Sequence, residues 1–146
     1  MDLKLKKIEY DDLNARQKEN YNYQTVSAML ATYGFATIRL SDDWQTADFI
    51  AQHIDGKRFL KVQLKGRIYF SKKYKGKDIY ICGRSSGIWY LYPHDIVLTM
   101  FLKLRSTDPT GCKHFKNTRS WIKKGGYGWP KIPKRLEKYL LSYQLS

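Results

Sequence analysis

The sequence predicts an α+β fold in a single domain, residues 1–146. Two stretches of apolar residues at helical spacing, one ending at Gly34 and one following Pro93, enclose short apolar runs that indicate strands. A hairpin signal, Asp55-Gly56, separates two of these runs, because glycine readily adopts the positive φ that such a turn needs. Helix, antiparallel strands and helix in this order are typical of the α+β class, and 42% apolar residues suffice for a hydrophobic core.

The N-terminal part of the chain predicts a short arm followed by a helix. Residues 1–11 mix charged and apolar side chains without a clear period, so we expect an arm or an edge segment. Asn14 is a suitable N-cap, and apolar residues at helical spacing follow it. Gly34 suits the position just after a helix C-terminus, so the helix is expected to end there.

Three strands are predicted between this helix and the middle of the chain. Each is a run in which apolar side chains alternate with small or polar ones. The predicted strands are Phe35–Leu40, the segment that carries Asp48 after a loop at residues 41–45, and Arg58–Leu64, with an extension through Arg67. The hairpin turn joins the second strand to the third.

The next part of the chain predicts another pair of strands and a helix. Short apolar runs at residues 78–82 and 88–92 flank a Gly- and Ser-containing turn, and Pro93 ends the second run. Apolar residues return at helical spacing over residues 94–104, which predicts a second helix.

The C-terminal segment, residues 105–146, is predicted to be a basic extension of a core over about residues 14–104. Residues 105–132 are polar and rich in glycine, so we expect loops there. Three aromatic residues are expected to hold these loops, namely Phe115, Trp121 and Trp129. A last helix is predicted over Lys134–Leu145, whose apolar face serves either as a subunit interface or to close the core of its own domain.

A candidate site follows from the alternation of side chains along the third strand. Gln63 and Lys65 share one face of this strand, while Val62 and Leu64 point into a core. Asp48 lies beside them if the strands pair around the hairpin turn. A carboxylate, an amide and an ammonium group around one point can hold a hard divalent cation and a phosphate. A buried glutamine without partners would cost about 1–3 kcal/mol, which favours a polar site here.

This arrangement resembles the PD-(D/E)XK nuclease superfamily, the restriction-endonuclease-like fold, over roughly residues 14–104. Asp48 falls on the aspartate of the motif, with Ala47 where the family often has proline, and Lys65 falls on its lysine. Gln63 falls on the acidic second position; glutamine there departs from the commonest pattern but occurs in several branches, notably ones like the Mrr restriction enzymes and some intron-encoded homing endonucleases. The resemblance also extends to Holliday-junction resolvases. It implies a central mixed sheet flanked by helices.

The resemblance implies a metal-dependent hydrolysis of phosphodiester bonds. Asp48 and Gln63 would bind Mg²⁺ (or Mn²⁺). Lys65 would orient or deprotonate the attacking water, or stabilise the charge that develops at phosphorus. Superfamily members often add an acidic residue from the first helix. The position nearest that pattern is Gln24, which is not acidic; Glu19 is the nearest helix carboxylate, and Glu9 is a further candidate.

Charge is unevenly distributed along the chain. Residues 1–56 carry a net charge of −3 and residues 57–146 one of +17, within a total of +14. Such a positive field favours a polyanion, although a solvated basic surface without a specific partner remains the alternative. The residues expected to contact DNA are Arg67, Lys72, Lys73, Lys75, Lys77, Arg119, Lys123 and Lys124. The glycine-rich segment 125–128 is also expected to approach the DNA backbone.

The sequence therefore predicts a metal-dependent, site-specific endonuclease acting on double-stranded DNA. A homing enzyme is slightly favoured over a restriction enzyme, because the small chain leaves no room for a separate recognition domain. The symmetry of duplex DNA favours a homodimer or homotetramer. A Holliday-junction resolvase is the alternative among nucleases. Two alternatives are not nucleases. One is a non-catalytic DNA-binding module on a decayed nuclease fold, which the missing second carboxylate supports. The other is an RNA-binding protein.

Sequence features also bear on the cellular location. The N-terminus lacks the apolar segment of a secretory signal, and no apolar run has the length of a membrane-spanning helix. Cys82 and Cys112 have no CxxC spacing and are expected to be reduced thiols rather than zinc ligands. We therefore expect a cytoplasmic protein without a membrane partner, nucleoid-associated if it is bacterial.

Overall fold

A mixed sheet of five strands forms the centre of the protein. The structure, a computed structural model, describes residues 2–41, 46–107 and 113–146. The strands are β1 (Phe35–Arg39), β2 (Phe49–His53), β3 (Phe59–Lys65), β4 (Ile68–Ser71), β5 (Ile79–Ser85), β6 (Ile88–Pro93) and β7 (Gly126–Trp129). The central sheet has the order β1-β2-β3-β5-β6, in which β3 and β5 are parallel and the other neighbours are antiparallel. Strands β4 and β7 form a separate antiparallel pair.

Helices flank this sheet, which confirms the predicted α+β class. The α-helices are α1 (Ala15–Thr32), α2 (His94–Leu102), α3 (Arg119–Ile122) and α4 (Lys134–Glu137). Single 3₁₀ turns lie at Tyr10–Asp12, Lys72–Tyr74, Phe115–Asn117 and Leu141–Tyr143. Among the described residues, no helix is long and apolar enough to cross a membrane.

Both ends of α1 lie where the sequence predicts them. The Asn14 side chain accepts a hydrogen bond from the Gln17 N–H at 2.9 Å, and the Gln17 side chain accepts one from the Asn14 N–H at 2.9 Å. Gly34, just after the helix, has a φ of +86°, and a Cβ atom there would lie 2.9 Å from Nε2 of His53. Capping and glycine geometry are local effects, so the sequence alone specifies them.

Two hydrophobic clusters pack on the sheet. One joins α1 to the sheet and contains Val26, Leu30, Phe49, Ala51, Val62 and Cys82. The larger one joins α2, the β4–β7 pair and the C-terminal segment, with residues such as Phe70, Tyr92, Phe101, Phe115, Trp121 and Leu136. Phe115 and Trp121 are buried and Trp129 packs against them, which confirms the predicted role of these aromatic residues.

The glycine-rich segment differs from its prediction as a DNA-facing loop. Residues Gly126–Trp129 form β7, which pairs along its whole length with β4. A Cβ atom at Gly126 would collide with the Phe70 carbonyl oxygen, and one at Gly128 would lie 3.0 Å from Cδ of Arg67. The glycines therefore allow β4 to approach β7 closely. Their presence is explained by this pairing and gives no reason to expect a contact with the DNA backbone.

The predicted last helix over Lys134–Leu145 is wrong. Helix α4 ends at Glu137, and the chain then turns toward β6. The Leu145 N–H donates to the Trp89 carbonyl at 2.8 Å, so pairing with the β6 edge replaces helical hydrogen bonds. Leu136 and Leu140 are buried in the large cluster, so this segment closes the core of its own domain.

Smaller differences concern segment ends and the cysteines. Helix α2 ends at Leu102 rather than at Leu104, and β5 continues to Ser85 rather than ending at Cys82. Except for its first residue, the predicted loop at 41–45 lies outside the described residues, as does Cys112. The Cys82 thiol is buried, and this burial raises its pKa, so it is an unreactive core side chain.

Candidate active site

Asp48 lies at the start of β2 and is fixed by both neighbouring strands. Its N–H donates to the Val62 carbonyl at 2.8 Å, and its carbonyl accepts the Leu40 N–H at 2.9 Å. Its carboxylate oxygen Oδ2 accepts the Leu64 N–H at 2.8 Å. The contacts to Val62 and Leu64 bracket Gln63, so the carboxylate is held beside the strand that carries the other two motif residues.

A cleft of about 400 Å³ opens at this point. Its lining residues are Glu19, Asn22 and Tyr23 from α1, Arg39, Leu40, Ser41, Ala47 and Asp48 around β1 and β2, and Gln63, Leu64, Lys65 and Gly66 from β3. The structure thus brings together four of the residues expected at the site, namely Asp48, Gln63, Lys65 and Glu19.

The structure does not place Gln24, a predicted site residue, in this cleft. It is exposed on α1 and is absent from the cleft lining. Asn22, two residues earlier, faces the cleft, and two residues on an α-helix turn the side chain through about 200°. Glu9 lies in the exposed segment before α1 and is not part of the lining either.

Asn22 is one of the cleft residues that sequence reasoning missed. It is only 7% exposed, and its Oδ1 atom is buried without a hydrogen-bond partner. Its signal in the sequence is a polar side chain in line with a buried helix face, since Val26 and Leu30 follow it four and eight residues later and are both buried.

Gln63 and Lys65 differ in their surroundings. Gln63 is 9% exposed and lies in the centre of the sheet, paired with Ile81 of β5. Lys65 is half-buried at the end of β3, and its ammonium nitrogen lies 4.8 Å from the ring centroid of Tyr69 and 5.9 Å from that of Tyr74. Aromatic faces attract cations, so both rings stabilise the charged form of this lysine.

The basic residues expected to contact DNA are all exposed. They are Arg67, Lys72, Lys73, Lys75, Lys77, Arg119, Lys123 and Lys124. Lys72 joins the two stretches of sequence that contain them, because its N–H donates to the Gly125 carbonyl at 2.8 Å and its ammonium lies 5.2 Å from the Trp121 ring. Lys73 lies 5.0 Å from the Tyr74 ring, which Lys65 also contacts. Lys73 and the cleft residue Lys65 therefore share one aromatic neighbour, and Lys72 links this region to the segment that carries Arg119, Lys123 and Lys124.

The donor atoms in the cleft suit a hard divalent cation. Within residues 2–41, 46–107 and 113–146, no three His, Cys, Asp or Glu side chains cluster as a metal site. The cleft offers instead the carboxylates of Asp48 and Glu19 and the amide oxygens of Gln63 and Asn22. Oxygen donors of this kind fit Mg²⁺ or Mn²⁺ and do not fit a structural zinc site.

The five-stranded mixed sheet carries α1 on one face, and Asp48, Gln63 and Lys65 line a cleft between this helix and the sheet. No family model and no curated protein sequence matches this chain. Among solved structures, the chain is similar to a bacterial homing endonuclease, I-Ssp6803I, with a TM-score of 0.50, 14% identity and coverage of 90% of this chain and 86% of that one. It is also similar to the Holliday junction resolvase Hjc of Archaeoglobus fulgidus, with a TM-score of 0.44, 18% identity and coverage of 54% and 75%. At 14% identity the likeness to the homing endonuclease concerns the fold alone, and it agrees with the α+β fold predicted from the sequence.

Proposed function

We propose that this protein is a metal-dependent, site-specific endonuclease of the homing type that hydrolyses phosphodiester bonds in double-stranded DNA. The observation that carries the proposal is the meeting of Asp48, Gln63 and Lys65 in one cleft. The fold supports it, because a homing endonuclease shares this fold over most of the chain. The +17 charge of residues 57–146, close to the cleft, supports a polyanionic substrate.

Asp48 and Gln63 would hold Mg²⁺ (or Mn²⁺) in this mechanism. When bound, the ion supplies Lewis acidity toward the phosphate and the attacking water. Asp48 contributes the negative charge, and its hydrogen bond from Leu64 keeps the carboxylate oriented toward β3. Gln63 contributes a neutral oxygen from a buried position, where its orientation is restricted by packing in the sheet.

Lys65 is assigned a charge-stabilising role. The rings of Tyr69 and Tyr74 stabilise its ammonium form, which suits neutralisation of a phosphate better than removal of a proton from water. Tyr69 is itself fixed, because its N–H and carbonyl both bond to the Tyr92 hydroxyl at 2.9 Å. The lysine is therefore held by aromatic groups that the core positions.

The basic surface would bind the DNA backbone. Lys73 lies against the Tyr74 ring, and Lys72 lies against the Trp121 ring of α3. Arg119 begins this short helix, and Lys123 and Lys124 follow its end. One site cuts one strand, so two-strand cleavage is most simply achieved by a homodimer or homotetramer.

A DNA-binding module without catalytic activity is the second candidate. The observation that favours it is that the described residues contain no cluster of three acidic, histidine or cysteine ligands. Supercoiled plasmids that carry a library of random inserts, incubated with Mg²⁺ or Mn²⁺, separate the two, because the endonuclease nicks or linearises the members that contain its site and the module only retards them. A four-way junction substrate tests the junction-resolving alternative in the same assay.

The variants for this test are Asp48→Asn and Asp78→Asn. Asp48→Asn removes the negative charge but keeps an oxygen that can accept the Leu64 N–H, so it should abolish cleavage and preserve DNA binding. Asp78 is exposed, lies outside the cleft and has a φ of +55°, which asparagine tolerates, so its variant should cleave normally. Library plasmids and junction DNA that all stay intact with every cation would contradict the proposal.

A further inference from the structure

Arg39 is an exposed cation that lines the cleft and is held in place by the first helix. It is the last residue of β1, and its Nη1 atom donates to Oδ1 of Asn20 at 2.6 Å. Its guanidinium carbon lies 5.0 Å from the ring centroid of Tyr23. Within residues 2–41, 46–107 and 113–146, none of the ion pairs involves Arg39. Two uncharged contacts therefore hold a positive charge at the cleft.

The sheet places Arg39 and Lys65 on opposite sides of Asp48. Strand β2, which begins just after Asp48, lies between β1 and β3, and neighbouring strands are about 4.7–4.9 Å apart. Arg39 ends β1 and Lys65 ends β3, and both side chains line the cleft. A DNA strand that passes Lys65 and presents a phosphate at Asp48 therefore continues toward Arg39.

A second hollow, of about 700 Å³, continues the cleft past Arg39. The residues that line both are Glu19, Arg39, Leu40 and Ser41. Arg16 of α1 also lines the second hollow, so two exposed arginines and one exposed glutamate surround it in the described part of the chain. This balance of charge favours an anion.

We propose that Arg39 binds a backbone phosphate of the DNA strand that occupies the cleft, on the side of Asp48 opposite to Lys65. The proposal rests on the proposed nuclease function and adds a substrate contact in the part of the chain that is acidic overall, residues 1–56. A guanidinium carries several N–H donors in a planar fork that matches a phosphate, so the bond to Asn20 leaves others for the substrate. Asn20 is then a positioning residue, which orients this fork.

The test is the binding of a fluorescein-labelled DNA duplex, measured by anisotropy at several salt concentrations in an Asp48→Asn background. Arg39→Gln removes the charge, so affinity should fall by about tenfold or more, and the slope of log K against log salt should fall by about 0.9. Arg39→Lys keeps the charge without the fork, so the slope should stay and the affinity should be intermediate. Arg58→Gln is the matched control, because Arg58 is exposed, bonds Asp55 and lies outside both hollows.

A structural role for Arg39 makes a different prediction. Arg39→Gln and Asn20→Ala both break the bond between these two residues, so urea denaturation should show a loss of stability in both. If Arg39 only packs β1 against α1, both variants bind DNA as the wild type does. If it binds a phosphate, Asn20→Ala keeps the wild-type slope but binds more weakly than the wild type, and less weakly than Arg39→Gln.

The outcomes separate this proposal from the proposed function. Wild-type affinity and slope in Arg39→Gln overturn the role of Arg39 and leave the nuclease site intact. Wild-type protein that binds duplex DNA but cuts no library plasmid overturns the nuclease function, whereas a reduced slope in Arg39→Gln still supports the phosphate contact. Wild-type protein that binds no DNA overturns both. If Arg39→Gln fails to fold, Arg39→Lys decides, since an affinity equal to that of the wild type overturns the contact.

Discussion

The carboxylate of Asp48 accepts the backbone N–H of Leu64 at 2.8 Å, which ties the first residue of the motif to the strand that carries the other two. A side chain here takes the place that a main-chain carbonyl would occupy in a regular ladder. The motif is therefore assembled by one hydrogen bond between elements that are separate in the sequence, and this bond has consequences for both stability and activity.

Asp48→Ala and Asp48→Asn should differ in stability although both abolish cleavage. Asparagine retains an acceptor for the Leu64 N–H, whereas alanine leaves that donor unsatisfied at a cost of about 1–3 kcal/mol. Urea denaturation of the two variants measures the difference. Equal midpoints for alanine and asparagine would show that the Leu64 bond does not hold the site together.

Tyr92→Phe should destabilise the protein by about 1–3 kcal/mol, because it leaves the Tyr69 N–H and carbonyl without their common partner. Burial raises the pKa of the Tyr92 hydroxyl, so it remains neutral and serves as both donor and acceptor. Tyr80→Phe is the matched control on the neighbouring strand β5. We also expect slower cleavage by Tyr92→Phe, since Tyr69 contacts Lys65; an unchanged rate would mean that this contact is unimportant for chemistry.

Stability should decline as the pH falls below about 6.5, the ordinary pKa of histidine, because of His94. Burial lowers the pKa of His94, and its Nε2 accepts the Ser71 N–H at 3.1 Å, so the folded protein holds the neutral ring. Between the two pKa values of His94, the unfolded chain therefore binds more protons than the folded one. The stabilisation that neutral His94 provides is complete above the pKa of the unfolded state. It is lost as the pH falls through the lower pKa of the folded state. Urea midpoints between pH 8 and pH 5 measure it.

The matched variant for this prediction is His94→Gln, whose midpoint should depend less on pH over the same range. Comparing the two proteins removes the contribution of the other histidines, such as His53, whose ring lies 3.0 Å from the Asp55 carboxylate. Parallel pH profiles for wild type and variant would rule out His94 as the source.

Neutralising the basic surface should weaken DNA binding and reduce its salt dependence. In an Asp48→Asn background, Lys72→Gln or Lys123→Gln should lower the slope of log K against log salt by about 0.9 for each DNA phosphate that the protein no longer neutralises. Fluorescence anisotropy with duplex DNA measures the slope. Lys57→Gln, on the exposed turn between β2 and β3, should leave it unchanged; an equally large decrease for Lys57→Gln would indicate a diffuse charge effect.

Leu140→Ala should cost about 2–5 kcal/mol, because it creates a cavity in the large core cluster. Leu141→Ala should cost much less, since this neighbour is 54% exposed. The pair tests the finding that the C-terminal segment closes its own domain, and denaturant unfolding measures it. Similar destabilisation at both positions would indicate a different packing of this segment.

The parts of the fold that the sequence predicts are those that local physics decides. Helix α1 is delimited by its cap and by Gly34, and the two-residue spacing of Gln63 and Lys65 in β3 already places both on one face. The parts of the fold that the sequence does not predict depend on contacts between residues that are far apart in the chain. Strand β7 exists because β4 lies beside it, and the C-terminal chain leaves its helix to pair with β6. Distance from the helix end points to Gln24, whereas the face of the helix decides which residue lines the cleft.

A crystal soaked with Mn²⁺ tests the central claim most directly, because the anomalous signal of manganese locates the ion without assumptions about activity. The account predicts one peak in the cleft, contacted by the Asp48 carboxylate and by the amide oxygen of Gln63. A cleft without a peak at saturating Mn²⁺, or side chains of Asp48 and Gln63 pointing away from each other, would contradict it.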